Sequence, residues 1–230
     1  MTDVIAHRGA SSVAHENTLE AFERAKELGA DWVELDARRS ADGVIVVHHD
    51  AHLADGRVIA DLDASDLPDN VPSLAEALEV CDGMGVNIEI KNLPDDPDFD
   101  AEHLVSDAVA GLARAYLAPD QVLVSSFNID AVDRIKAIDS ELPTAYLSVD
   151  MGDPLRGLER TVAHRHQAFH PYHSLVDVRL VQRAHDLGIA INTWTIDEPE
   201  RMAELVAMGV DGIVTNDVAM GRRVVDAISG

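Results

Sequence analysis

The feature that most constrains this chain is a repeated alternation of short apolar runs with amphipathic, helix-like segments. Runs that read as strands begin at Val4, Trp32, Val86, Val122, Thr144, Ala168, Ala190 and Gly212. Each is followed by a helical pattern, the second only after an intervening hairpin. Between Thr18 and Leu28, Leu19, Phe22 and Ala25 share one face and Gly29 is placed to end the helix. Ser73, with Glu76 three residues on, forms a capping box for a helix reaching Cys81. Further helices are expected over about 102–116, 129–138, 155–165, 177–187, 199–208 and 218–228. Alternation of this kind implies a parallel sheet, because each helix carries the chain back to start the next strand. Eight such units in 230 residues fit a closed (β/α)8 TIM barrel, one domain over residues 1–230. An open doubly wound sheet would ask for a glycine-rich phosphate loop after a strand, and neither GxGxxG nor a P-loop is present.

A barrel of this type keeps its reacting groups at the C-terminal ends of the strands. The polar residues there are His7-Arg8, Glu34 and Asp36, Glu89 and Lys91, Ser125-Ser126, His170, Trp194 and Thr215-Asn216-Asp217. The densest stretch runs from Val4 to Asp50. In the strand from Trp32, alternation puts Glu34 and Asp36 on one face. Asp42-Gly43 signals a tight hairpin. If those two residues are the whole loop, Ala41 faces Val44, Asp36 lies opposite His49, and His48 turns away. Two carboxylates on one face repel, and burying them unpaired is costly. A hard divalent cation, Mg²⁺ or Ca²⁺, removes the problem, since such ions prefer oxygen ligands. An exposed acidic strand is the plainer alternative, but it leaves the histidines at both flanking strand ends without a reason.

Charge narrows the partners. The chain has 42 acidic and 18 basic residues, a net charge of −24, and its lysines are Lys26, Lys91 and Lys136 alone. Nucleic acid and anionic membranes should repel it. An apolar fraction of 47% argues for a folded protein rather than a disordered one. The acidic surface suits high salt, where screening removes self-repulsion, and the composition resembles that of salt-adapted proteins. Apolar runs fall short of the ~18 residues a membrane span requires. The N-terminus lacks the pattern of a secretory signal. Cys81, the lone cysteine, excludes an intramolecular disulfide and fits a small core position. A cytoplasmic protein without stable membrane anchoring is expected.

Taken in order, HRG (His7 to Gly9), ENT (Glu16 to Thr18), ELD (Glu34 to Asp36), DG, HD (His49-Asp50), EIK (Glu89 to Lys91), SSF (Ser125 to Phe127), WT (Trp194-Thr195) and TND (Thr215 to Asp217) resemble the glycerophosphodiester phosphodiesterases. The resemblance implies one divalent cation held by Glu34, Asp36 and Glu89, catalytic histidines His7 and His49, and phosphate held by Arg8 and Lys91. It implies a small glycerophosphodiester as substrate, released as sn-glycerol 3-phosphate and an alcohol, with a cyclic phosphate on the way. Three departures stand out. His15 replaces the usual proline before ENT, and the segment Ala51 to Arg57 lacks the usual Arg-Thr-Thr-like run. The long insertion that larger members carry between ELD and EIK is also missing, which implies a less enclosed site.

Plainer roles stand beside these. Glu89 and Lys91 share a strand face and would pair even without a ligand. Trp194 is either a core aromatic or an apolar wall for substrate. Asn216 either positions substrate or caps the last helix. Ser125 and Ser126 lack the G-x-S-x-G elbow of a nucleophile. His52, His103, His164, His166, His173 and His185 are expected on helices or loops without a catalytic role. Two competing functions remain: the same chemistry on a lysophospholipid, or a barrel that binds metal and phosphate without turnover. No basic amphipathic helix favours the lipid substrate, and a pair of titrating histidines exceeds what binding alone needs. The oligomeric state is open, a homo-oligomer included.

Overall fold

Eight apolar strand segments carry the architecture, and all but one, Ala190–Thr193, bury both faces along their middles, as strands covered by helices outside and by side chains inside must. The structure, a computed structural model, describes residues 1–149 and 153–229. The strands are β1 (Asp3–His7), β2 (Trp32–Arg39), β3 (Ile45–Val47), β4 (Gly85–Ile90), β5 (Val122–Ser126), β6 (Thr144–Ser148), β7 (Ala168–Pro171), β8 (Ala190–Thr193) and β9 (Gly212–Thr215). The helices are α1 (Leu19–Glu27), α2 (Leu74–Val80), α3 (Leu104–Tyr116), α4 (Ile129–Ile138), α5 (Pro154–Ala163), α6 (Val178–Asp186), α7 (Pro199–Met208) and α8 (Val218–Ser229). All strands but β3 pair in parallel, and β1 pairs with both β2 and β9, which closes the barrel. This is the expected (β/α)8 fold. Among the described residues no helix is long and apolar enough to cross a membrane.

Local chemistry explains where the elements start and stop. Thr18 accepts the Ala21 N–H and opens α1, while Ser73 and Glu76 cap α2 reciprocally. Asn128, Asp153 and Asp177 cap α4, α5 and α6 in the same way. Gly29, Gly188 and Gly209 leave their helices at positive φ. The outward faces of the strands pack on the inner faces of the helices through residues such as Val4, Leu35, Ile88, Phe22, Leu158 and Phe169. The floor of the barrel is filled by Leu123, Ala145 and Ala168 with Trp32 and Ala190 against them. Gly85 makes room for the Trp32 indole: a Cβ there would lie 2.1 Å from a ring carbon.

One expected register is corrected. β2 and β3 pair Arg39 with Ile45 and Ala37 with Val47, so Ser40 faces Val44 and the loop is Ala41-Asp42-Gly43. Gly43 takes φ +89, as a three-residue hairpin with its last residue left-handed requires. The ladder therefore aligns Asp36 with His48, whose N–H donates to the Asp36 carbonyl at 2.9 Å, and not with His49. A two-residue loop would have needed positive φ at Asp42 as well. Ser40 instead donates its hydroxyl to Asp42 Oδ1 at 2.6 Å, and the Ser40 N–H donates to the Val44 carbonyl.

Two helical glycines give a paired test of the packing. Ordinarily Gly→Ala inside a helix adds about 0.5–1 kcal/mol of stability. Gly111 in α3 has nothing within 4 Å of its missing Cβ, so Gly111→Ala should raise the urea midpoint. At Gly157 in α5 the Cβ would sit 2.5 Å from Phe169 Cζ, so Gly157→Ala should lower it, by about 1–3 kcal/mol of overpacking. Opposite shifts in midpoint at unchanged slope are the expected result.

Candidate active site

The upper rim gathers its charged residues through sheet register. Parallel pairing sets His7 beside Glu34, and Asp36 beside Glu89. Arg8 and Lys91 follow directly after β1 and β4. Glu34, Asp36 and Glu89 are 3%, 1% and 7% exposed, so three carboxylates share a space water barely reaches. Their oxygens lie within 4.8 Å of one another. Lys91 Nζ meets Glu89 Oε1 at 2.5 Å and Asp36 Oδ1 at 3.2 Å, while Arg8 Nε stands 3.3 Å from Asp36 Oδ2.

Two cations against three carboxylates leave the cluster one negative charge in excess. Burial and the charges of Asp36 and Glu89 push the Glu34 carboxyl well above its ordinary range. Burial would raise Asp36 too, but Lys91, Arg8, His49 and the Asn17 hydrogen bond outweigh it and bring it down to about 2. Burial raises Glu89 against the pull of Lys91. Without a further cation, the cluster therefore favours a proton on Glu34. Glu34 Oε1 is buried and, among the described residues, has no hydrogen-bond partner, while Asp36 Oδ1 has the Lys91 ammonium at 3.2 Å. Three carboxylates converging within 4.8 Å, one oxygen of them unpartnered, fit a hard divalent cation.

The segment between β1 and α1 is shaped around this cluster. Arg8 and Asn17 both take left-handed φ, +56 and +57, uncommon for residues with side chains. The bend lets the Arg8 N–H donate to Glu34 Oε2 at 3.0 Å, and Asn17 Nδ2 donates to Asp36 Oδ2 at 2.8 Å. Glu16 takes the Arg8 guanidinium at 2.9 Å. Gly9 is required because a Cβ there would lie 2.7 Å from Ala21 at the start of α1. The ENT run thus supplies a partner for Arg8, a partner for Asp36 and a helix cap.

Both expected histidines line the same cavity, of about 100 Å³, with Arg8, Glu34, Glu89, Lys91 and Trp194. His7 Nδ1 faces Asn216 Oδ1 at 2.8 Å, and Asn216 Nδ2 donates to Asp197 Oδ2 at 2.6 Å. Asp197 can only accept, so it fixes the Asn216 amide with its oxygen toward His7. His7 then carries its proton on Nδ1 and presents a bare Nε2. His49 Nδ1 is 2.7 Å from Asp50 Oδ1, which likewise leaves Nε2 free. Burial and the neighbouring cations Arg8 and Lys91 lower both imidazoles below their ordinary pKa.

His49 reaches the cavity by a bend, not by strand alternation. Arg38 Nε donates to the His49 carbonyl at 2.9 Å, and its guanidinium is clamped by Asp98 at 2.7 Å and Asp96 at 3.1 Å. The acidic loop expected from Asp95 to Asp100 thereby fixes the histidine's backbone. His48 turns its Nδ1 to the Asp50 carbonyl. Trp194 half-buries against Phe127, with ring centroids 5.3 Å apart, and donates Nε1–H to the His170 carbonyl, so one face walls the cavity. Asn87, Leu147 and His170 also line it. Asn216 does not cap α8; Asp217 does, accepting the Met220 N–H at 2.9 Å. Ser126 donates to the Ile90 carbonyl, a structural role. The altered segment after Asp50 contributes nothing to the cavity lining: Leu53 and Ile59 pack with Val46 in a small core of their own.

Residues 7–220 match the family model described as the glycerophosphoryl diester phosphodiesterase family. A glycerophosphodiester phosphodiesterase of Caldanaerobacter subterraneus is 31% identical over 94% of both chains. Among solved structures, an Oleispira antarctica phosphodiesterase in complex with the product sn-glycerol-3-phosphate superposes with a TM-score of 0.88 at 28% identity, covering 98% of this chain and 97% of that one. The Thermotoga maritima glycerophosphodiester phosphodiesterase does so with a TM-score of 0.83 at 29% identity, covering 97% and 98%.

The charge balance predicts a crossed pattern of stability. In chelator, Glu34→Gln should be as stable as the parent or more so, because the neutral amide stands in for the protonated carboxyl that the metal-free cluster favours. With Mg²⁺ or Ca²⁺ added, the parent's melting temperature should rise and the variant's should stay put. Equal shifts in both proteins would show that the ion binds elsewhere.

Proposed function

The chain belongs to the glycerophosphoryl diester phosphodiesterase family, an enzyme family whose members hydrolyse glycerophosphodiesters, and we propose that it releases sn-glycerol 3-phosphate and an alcohol from small glycerophosphodiesters. The supporting observation is the meeting, in one cavity, of two buried carboxylates backed by Asp36, two cations and two histidines with fixed Nδ1 partners. The product complex of the Oleispira antarctica relative supports the same product here. In this reading residues 1–230 act as one catalytic domain.

Glu34, Asp36 and Glu89 would hold one divalent cation, Mg²⁺ or Ca²⁺. When bound, that ion supplies Lewis-acid polarisation of a phosphoryl oxygen. With its two charges the cluster changes from one negative charge in excess to one positive, which matches a monoanionic phosphodiester. Arg8, held in its bend by Glu16 and Glu34, offers a planar fork to the phosphate, and Lys91 offers a point charge. Trp194, Phe127 and Leu147 shield one side of the cavity from water.

His7 and His49 form the acid–base pair. Each presents Nε2 to the cavity with the opposite nitrogen tied down, so each can take or give a proton at one defined atom. Ser126 is spent on the Ile90 carbonyl, and it does not line the cavity. The glycerol hydroxyl adjacent to the phosphate is the natural attacker, since well-placed neighbouring groups reach effective molarities of roughly 10⁵–10⁸ M. One histidine removes that hydroxyl's proton while the other protonates the departing alcohol. The resulting cyclic phosphate is opened by water with the two roles exchanged.

Two tests follow. His7→Ala and His49→Ala should each lower kcat by about 10²–10⁴-fold while leaving Mg²⁺ binding intact, measured by calorimetry. Parental turnover in both variants would reject the pair. A substrate carrying the adjacent hydroxyl as a methyl ether should bind, as a competitive inhibitor, yet resist cleavage. Cleavage of the ether at the normal rate would mean that water attacks the diester directly.

A further inference from the structure

A second cluster of metal-ligating side chains lies at the other end of the barrel. His164 caps the C-terminal end of α5, His166 precedes β7, and Asp133 projects from α4. His164 Nδ1 lies 2.7 Å from Asp133 Oδ2, and His166 Nε2 lies 3.4 Å from Asp133 Oδ1. The two rings stack 14° from parallel with centroids 6.0 Å apart. Arg165, between them, takes a left-handed φ of +62 as α5 ends, and the His166 N–H donates to the Thr161 carbonyl.

His166 is the informative member. It is 2% exposed, and its Nε2 is buried with no hydrogen-bond partner among the described residues. The Thr144 hydroxyl lies 2.9 Å from its Nδ1 and holds the far side of the ring. Nε2 faces Asp133 Oδ1 across 3.4 Å, longer than an ordinary hydrogen bond, so an ion between the two would satisfy both.

We propose that Asp133, His164 and His166 form a second metal site, for Zn²⁺ or a similar borderline transition ion, which ties α4 and the end of α5 to the lower ends of β6 and β7. Two imidazoles and one carboxylate suit such an ion, whereas the three carboxylates of the upper cavity suit a hard one. A tetrahedral ion with bonds of about 2.0–2.1 Å spaces its ligand atoms roughly 3.3 Å apart. The 3.4 Å gap at His166 already meets this, and the 2.7 Å pair needs only a small opening. Thr144 supplies the partner on the far nitrogen that orients a metal-bound histidine. Lys136, close to the cluster, is engaged by Gln167. The lower face of such a barrel contributes to stability rather than turnover, and so should this ion.

The test uses the metal-stripped chain with Mg²⁺ in excess, so that the upper carboxylates are occupied, and adds Zn²⁺ alone. One equivalent should bind, raise the melting temperature, and leave glycerophosphodiester turnover unchanged. His164→Gln and Asp133→Asn should each weaken Zn²⁺ binding by more than the roughly 10–100-fold that loss of an outer partner costs. Parental affinity in either variant would overturn the proposal. In the unaltered chain, Zn²⁺ should also shift the imidazole ¹⁵N resonances of His164 and His166. Resonances that stay in place would overturn it without reference to any variant.

Discussion

Glu34, Asp36 and Glu89 sit together away from solvent, and their mutual repulsion has to be answered before the upper end of the barrel can close around them. Hydrogen bonds alone do not answer it, because buried charge needs opposite charge as well as donors. The chain supplies two cations from the residues immediately after two of the strand ends. Arg8 can reach Asp36 only because the backbone at Arg8 turns left-handed, and that turn fits only because Gly9 lets α1 approach. Asn17 turns left-handed for the same purpose, giving its amide to Asp36. The strained positions near the site therefore have one cause. They are held by the carboxylate cluster and in turn hold it.

The alternation of apolar runs made the barrel legible, since a parallel strand buried on both faces and a helix buried on one leave different periods. The capping box at Ser73 marked one helix start, and the helical patterns from Thr18 and Asp177 placed two more within a residue. The hairpin failed because Asp42-Gly43 permits both a two- and a three-residue loop. The choice was made by Ser40, whose side chain and backbone bind the loop on itself. His49 still faces the cavity, for a reason sequence periodicity does not carry: Arg38, far along β2, grips its carbonyl while Asp96 and Asp98 grip Arg38. Asp197 was missed for the same kind of reason. It acts on His7 through Asn216, and a relay between residues nearly two hundred positions apart leaves no local pattern.

A net charge of −24 is a poor start for a protein that attracts an anionic substrate. The acidic residues of the outer surface repel a phosphodiester at long range, although added salt screens that repulsion over a few ångströms to about 10 Å. What matters at short range is the sign of the field inside the cavity, where the dielectric is low and screening weak. There Arg8 and Lys91 are concentrated, in a chain that has only three lysines. A cation among the carboxylates would turn that local field positive. An acidic exterior and the proposed anion-binding interior are thus compatible, because they act over different distances.

The two clusters that gather ligand atoms differ in a way that separates their consequences. At the upper end all the donors are carboxylates, the surroundings carry two fixed cations, and the space opens to a cavity that admits substrate. At the lower end two of the donors are imidazoles, one of them fully covered, and the residues come from elements that otherwise meet through backbone bonds and apolar packing. An ion above would change the charge presented to a phosphate. An ion below would change how firmly α4, α5 and the starts of β6 and β7 are joined. The two donor sets would favour ions of different hardness, and they lie at opposite ends of the strands.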